Sequence, residues 1–221
     1  MILLASKSSG RLATLRAAGV EPLVRVSTVD EEAVLGKLIQ RRRDAGLTAP
    51  SAAEQVQALA RAKALDVMAS TDPQEAEVVV GCDSMLEISG QVVGKPADAA
   101  QARERWQMMS GGTGTLHTGH FLVRTADGVI AEGVSSATIR FGSPPQTEIE
   151  AYIASGEPLW CAGAFTIDGL GGAFIEGIDG DPHGVVGISL PLLRRLLADL
   201  EVLWTDLWAP PPVSKPTGDA H

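Results

Sequence analysis

Glu77-Val78-Val79-Val80-Gly81-Cys82-Asp83-Ser84 is an apolar, β-branched run that ends in an acid where a buried strand would surface. Ligands of open α/β sheets collect at strand ends, so an acid at that point can do chemical work. Gly94-Lys95-Pro96 follows shortly afterwards and sets a lysine in a turn shaped by glycine and proline. An acid and a lysine brought together by one hairpin suit phosphate chemistry. One binds metal or water, and the other neutralises phosphate oxygens.

Outward from this stretch, residues 2–5 read as a buried strand. A polar loop leads to a helix over 11–18, with Leu12, Leu15 and Ala18 on one face and Gly19 as its stop. Residues 23–26 form a second short strand, and 36–50 are polar and ragged, which reads as a variable insertion. Over 51–68, Val56, Leu59, Ala60, Lys63 and Val67 recur at helical spacing, so a lysine stands on an apolar stripe. Strand 78–81 comes next, then a hairpin of 86–88 with 91–93 around Ser89-Gly90, and a helix over 97–109. Two alternating strands, 115–124 and 129–141, join at Ala126-Asp127-Gly128. Helix 145–154 ends at Ser155-Gly156. Apolar segments 162–167 and 173–178 flank the turn Gly169-Leu170-Gly171-Gly172. A last helix, 189–200, carries Pro191 in its first turn, where proline is tolerated. Residues 209–221 are Pro-rich and polar and read as a disordered tail. These elements predict an α/β or α+β sheet with helices on its faces, in one domain over 1–208, with a split near 94–114 dividing two lobes.

The chain has 221 residues, 45% hydrophobic and 20% charged, enough for a sizeable core. Its net charge of −9 argues against a surface that coats nucleic acid, while leaving room for a small basic pocket. Arg41-Arg42-Arg43 reads as a solvated face rather than a binding patch. Cys82 and Cys161 make no disulfide framework in a chain this long, which suits a reducing cytoplasm. The opening Met1-Ile2-Leu3-Leu4-Ala5 is too short for a signal-peptide core, and no apolar stretch approaches membrane-spanning length. The expectation is a cytoplasmic protein without membrane or nucleic-acid partners.

Several groups are chemical candidates. Ser6-Lys7-Ser8-Ser9-Gly10-Arg11 opens a helix, where backbone N–H groups, hydroxyls and an arginine can hold phosphate oxygens; ordinary capping by Ser8 or Ser9 is the equal alternative. Asp30-Glu31-Glu32 complements a helix start, or supplies carboxylates to Mg²⁺. Lys63 either snorkels to solvent or meets a triphosphate. Gly90-Gln91-Val92-Val93-Gly94-Lys95-Pro96 fails as a P-loop, because only three residues separate its glycines and Pro96 stands where Ser or Thr would bind magnesium. His117 and His120 point to opposite faces of a strand, so they do not form a zinc pair. There is no Gly-x-Ser-x-Gly elbow.

These pieces, in this order, resemble the Maf family of nucleoside triphosphate pyrophosphatases over nearly the whole chain, to about Leu203. The family's Leu-Ala-Ser-x-Ser-Pro-Arg-Arg appears as Leu4-Ala5-Ser6-Lys7-Ser8-Ser9-Gly10-Arg11, and its acidic pair as Asp30-Glu31. Its Ala-x-x-Lys-Ala is Ala60-Arg61-Ala62-Lys63-Ala64, and its Ala-Asp-Thr is Cys82-Asp83-Ser84, followed by an unaltered Gly94-Lys95-Pro96. Ser110-Gly111, Thr118-Gly119, Gly156-Glu157-Pro158, Ala162-Gly163-Ala164-Phe165, Gly169-Leu170-Gly171-Gly172 and Val185-Val186-Gly187 continue the register. Each is weak alone; together they are strong.

The resemblance implies an elongated mixed sheet flanked by helices, two lobes with a nucleotide cleft between them, a divalent cation (Mg or Mn) and a homodimer. It implies hydrolysis of nucleoside triphosphates, modified ones included, to the monophosphate and pyrophosphate. Asp83 would be the general base; Ser8, Arg11, Lys63 and Lys95 would hold phosphates; Asp30, Glu31 and Asp83 would hold metal. A non-catalytic nucleotide-binding regulator of cell division and septum formation is the other role it suggests. Departures fall at specificity positions. Gly10 replaces an arginine of pyrimidine-selective members, Ser84 replaces a threonine, and Asp168 stands where many members have glutamine. Cys161 and Gly184 replace a lysine and an asparagine. The pattern resembles that of the actinobacterial-type branch.

Overall fold

The computed structural model describes residues 1–209, so the tail expected to be disordered lies, from residue 210 onward, outside the described residues. In chain order the elements are β1 (Ile2–Leu4), α1 (Ser9–Ala17), β2 (Leu23–Val24), α2 (Glu31–Asp44), α3 (Ala52–Met68), β3 (Val78–Ile88) and β4 (Gln91–Val93). They continue with α4 (Ala99–Met109), β5 (Thr113–Arg124), β6 (Ile130–Phe141), α5 (Gln146–Ala154), β7 (Ile175–Asp179), α6 (Pro182–Val186) and α7 (Leu190–Asp199). The result is an α/β fold. Its seven-stranded mixed sheet runs β2-β1-β3-β5-β6-β7, with β4 also on β3. β1 pairs in parallel with β2 and β3, and every other pairing is antiparallel.

The period of two in β3 sorts its side chains onto two covered faces. Val78, Val80 and Cys82 pack with Ile2, Leu4 and Leu15 and with Leu193 and Leu197 of α7. Val79 faces the other way, onto Leu3, Phe121 and the small residues Ala60 and Ala64 of α3. Further along, Leu86, Ile139 and Phe141 meet Trp106, Tyr152 and Phe165 in a third cluster. Trp106 is fully buried, lies edge-on to Phe141, Tyr152 and Phe174, and gives its ring N–H to the Ala164 carbonyl at 2.9 Å. Burial of this kind contributes roughly 1.5–3 kcal/mol per large side chain.

Two expectations are corrected here. Residues 36–50 are not ragged throughout, because 31–44 form α2. Asp30 caps it by accepting the Ala33 N–H at 3.0 Å, acids fill its first turn, and three arginines fill its last, complementing the helix dipole. α2 has no buried residue, so the apolar periodicity that reveals a helix is missing from it. Nor does the strand end at Asp83. β3 continues to Ile88 and pairs with β5 throughout, with Asp83 opposite Gly119. On its other edge β1 stops with Leu4 opposite Val80, and β4 begins only at Leu86. Residues 81–85 therefore face a gap between two partner strands, and Asp83 borders that gap from mid-strand. Among the described residues, no helix is long and apolar enough to cross a membrane.

Candidate active site

Two glycines bring α3 down onto the sheet. A Cβ on Gly81 would collide with the Ala60 carbonyl oxygen and lie 2.9 Å from the Ala64 Cβ. One on Gly119 would lie 2.5 Å from the Val56 carbonyl oxygen. With both positions bare, the helix backbone rests on β3 and β5, and Lys63 reaches Asp83. Its Nζ donates to Asp83 Oδ1 at 2.5 Å and pairs with Glu31 Oε1 at 2.7 Å. The lysine expected on an apolar stripe thus bridges two carboxylates. Burial pushes the Asp83 carboxyl above its ordinary range, and the Lys63 and Arg11 charges offset only part of that rise. The lysine that contacts Asp83 comes from helix α3; the hairpin lysine, Lys95, makes no hydrogen bond or ion pair with Asp83.

Across the sheet, Arg11 is buried and spends three of its five guanidinium N–H groups on the protein. Its Nε donates to the Gly187 carbonyl at 2.7 Å, Nη1 to Ser6 Oγ at 2.9 Å, and Nη2 to Ser84 Oγ at 3.1 Å. Thr118 gives its hydroxyl proton to the Gly184 carbonyl at 2.8 Å, so the 2.8 Å bond between Ser84 and Thr118 is donated by Ser84. A directed chain thus runs from Arg11 through Ser84 and Thr118 to Gly184. Gly187 has φ +124°, and a Cβ there would sit 3.1 Å from Arg11 Nε, so the position suits only glycine. Ser8 caps α1 by accepting the Arg11 N–H at 3.3 Å, the capping role weighed from sequence.

His120 supports the same region from below. Its Nδ1–H donates to the Thr118 carbonyl at 3.1 Å, and its Nε2 accepts the Ser189 N–H at 2.9 Å. These partners fix one neutral tautomer, and burial holds its pKa down at about 4. His117 lies on the opposite face and is only half-buried.

Lys95 sits in a braced turn. The Gly94 carbonyl accepts from Arg105 Nη1 at 2.5 Å and from the Gly163 N–H at 2.9 Å, and the Lys95 carbonyl accepts from Arg105 Nη2 at 3.3 Å. Partial desolvation, then the nearby cations Lys7 and Arg11, hold the Lys95 ammonium below its ordinary range. Arg105 escaped the sequence reading. It shares the buried face of α4 with Ala102, Trp106 and Met109, so the signal that singled out Lys63, a cation on an apolar stripe, was available for it too. Glu157 was also missed as a brace. Its carboxylate accepts the Leu170 and Gly171 N–H groups at 3.0 Å each and holds the glycine-rich turn.

Asp168 and Gly10 meet. The Thr166 hydroxyl donates to Asp168 Oδ1, and a Cβ on Gly10 would lie 3.8 Å from Asp168 Oδ2. Both cysteines are free thiols, pushed up to about 11 by burial, so neither is poised as a nucleophile.

The donor set fits a divalent cation. Glu31 and Asp83 converge on one cationic nitrogen, and Mg²⁺ takes one or two carboxylates along with phosphate oxygens and water. Asp30 spends one carboxylate oxygen on its helix cap. Among the described residues, no group of three or more His, Cys, Asp or Glu side chains gathers at metal-binding spacing.

The family model described as "Maf-like protein" matches residues 1–200. A Streptomyces coelicolor protein named nucleoside triphosphate pyrophosphatase is 52% identical over 209 residues, covering 95% of both chains. Relatives with the same name from Mycobacterium sp. (strain JLS) and Salinispora tropica are 50% and 49% identical. They cover 94% and 98% of this chain, and 97% and 91% of their own. The residues that build the gap beside Asp83 lie inside the matched span, and the chain belongs to the Maf family.

Proposed function

We propose that this chain is a nucleoside triphosphate pyrophosphatase that cleaves (d)NTPs, modified ones included, into the nucleoside monophosphate and pyrophosphate. The observation that carries the reading is the 2.5 Å contact of Lys63 Nζ with a mostly buried Asp83. Burial raises the affinity of Asp83 for a proton, while Lys63 favours its ionised form, which together suit a general base near neutral pH. Asp83 takes the proton of a water that bonds to phosphorus at the α–β linkage, the bridging P–O bond breaks, and pyrophosphate leaves. Lys63, Lys95, Ser8 and Arg11 stabilise the charge that develops on the phosphate oxygens. Glu31 and Asp83, with Asp30 beside them, would hold Mg²⁺ or Mn²⁺, which when bound neutralises phosphate charge.

In this reading the gap along β3 lies in a nucleotide cleft between two lobes of one domain spanning 1–208, in a cytoplasmic homodimer. The relatives' shared name and the Maf membership support the reaction. The test is pyrophosphate release from a panel of natural and modified nucleotides with Mg²⁺ or Mn²⁺. Turnover of at least one triphosphate, with pyrophosphate and monophosphate in equal amounts, is expected. Tight nucleotide binding without turnover would contradict it and favour a non-catalytic regulator of cell division.

A further inference from the structure

We infer that Arg105 is a positioning residue for Lys95: it fixes the backbone from which that lysine reaches the phosphates of the substrate. The inference rests on the pyrophosphatase reading above. Lys95 Nζ has no hydrogen-bond or ion-pair partner among the described residues, so nothing at the tip of the side chain holds it. Its place is set by the turn that carries it.

That turn is fastened to α4 through one side chain. Arg105 Nη1 donates to the Gly94 carbonyl at 2.5 Å, and Nη2 donates to the Lys95 carbonyl at 3.3 Å. Nη2 also donates to Gln101 Oε1 at 2.8 Å, and the same oxygen accepts the Ala97 N–H at 2.9 Å. The Asp98 carboxylate accepts the Gln101 N–H at 2.8 Å, so Gln101 stands in the capped first turn of α4. The backbone on both sides of Lys95 is thus tied, directly or through Gln101, to one guanidinium. A planar fork of N–H donors holds two carbonyls in fixed relation, which a flexible ammonium does not.

Packing alone does not account for an arginine here. Arg105 is 8% exposed, shares the buried face of α4 with Trp106 and Met109, and forms no ion pair among the described residues. Burial holds its pKa below the ordinary range. A buried charge without a carboxylate partner is costly, and methionine would fill the same apolar face without that cost. Nor do the carbonyls require it. Gly94 keeps the Gly163 N–H at 2.9 Å, and Lys95 is exposed, so water can serve its carbonyl. What the guanidinium supplies is a fixed place for the turn. A displacement of about 1 Å in a group that meets the reacting atoms can cost on the order of a hundredfold in rate.

The experiment is a double-mutant cycle on kcat/KM for pyrophosphate release, with a triphosphate that the wild type turns over. It compares the wild type, Arg105→Met, Lys95→Ala and the double variant. Arg105→Met should lower kcat/KM at least about tenfold in the wild-type background. In the Lys95→Ala background the same change should cost less than about threefold, because no ammonium is left to position. Pyrophosphate affinity, measured by calorimetry on the same four proteins with Mg²⁺, should show the same coupling, and it reports even where the double variant turns over too slowly to assay. A variant that populates less folded protein loses signal in both backgrounds alike, so the coupling still reads. Where Arg105→Met does not fold, Arg105→Lys, which keeps the buried charge and loses the fork, takes its place with the same expected outcomes. Equal losses in both backgrounds, or an arginine variant as active as the wild type, overturn the inference while the pyrophosphatase reading stands. No turnover of any nucleotide by the wild type overturns both.

Discussion

Lys63 Nζ and Asp83 Oδ1 lie 2.5 Å apart, joined across the interface of α3 and β3 where Gly81 and Gly119 let the helix touch the sheet. Two opposing effects act on Asp83: burial raises its proton affinity, and the Lys63 charge lowers it. Removing the charge leaves the first effect alone. Lys63→Met should therefore move the acid limb of the kcat/KM pH profile to higher pH and weaken transition-state stabilisation by ~2–4 kcal/mol. Lys95→Ala should slow turnover by a comparable amount without moving the limb. Kinetics over pH 5–9 check both; a limb that stays put in Lys63→Met would uncouple the pair.

The approach of α3 makes Gly81 a sensitive position. Gly81→Ala places a methyl against the Ala60 carbonyl and 2.9 Å from Ala64 Cβ, and backbone must move to relieve it. Overpacking of this kind costs ~1–3 kcal/mol, and the displaced helix carries Lys63 away from Asp83. Urea unfolding and kcat should fall together. Full activity in a destabilised Gly81→Ala protein would show that the close approach serves packing alone.

His120 makes stability depend on pH. Its native pKa is about 4, below the 6.5 of a free histidine, because the folded state holds it buried and neutral. Above pH 6.5 neither state binds the proton, and the His120 contribution is fully present. As pH falls, the unfolded chain protonates first and stability drops, by roughly 3 kcal/mol before levelling near pH 4. In His120→Gln this component of the slope vanishes. The gap in urea midpoint between wild type and variant should shrink between pH 7.5 and pH 4.5. A constant gap would mean that His120 takes up a proton as readily in the fold as in the unfolded chain.

Base preference should respond to the two neighbouring departures from the pyrimidine-selective pattern. Gly10→Arg with Asp168→Gln supplies the arginine and the amide together, and should raise kcat/KM for dTTP and UTP relative to other nucleotides. The new Cβ at position 10 lies 3.1 Å from Val186 Cγ1, so Val186 must yield by a few tenths of an ångström. A wild type already strict for dTTP and UTP would contradict this.

Much of this was legible in sequence, for physical reasons. The β-branched run at 78–80 and the alternation in 115–124 and 129–141 reveal the sheet because each face must be covered. Lys63 stood out because a cation on an apolar stripe needs a reason to be there. What stayed hidden depends on contacts between distant segments. Nothing local tells that β1 stops opposite Val80 and β4 starts opposite Leu86, leaving Asp83 beside a gap in a strand that continues. Nothing local tells that Gly10 and Asp168 meet. α2 hid for the opposite reason: a helix with no buried residue has no stripe to read.

The central claim is that Asp83 is the base. The decisive measurement is pyrophosphate release by Asp83→Asn alongside its nucleotide affinity by calorimetry. The amide keeps the size of the side chain but takes no proton near neutral pH. Turnover should fall at least a hundredfold, to the order expected when a general base is lost, while nucleotide affinity stays within roughly threefold of the wild type. Near-normal turnover in Asp83→Asn would contradict the account.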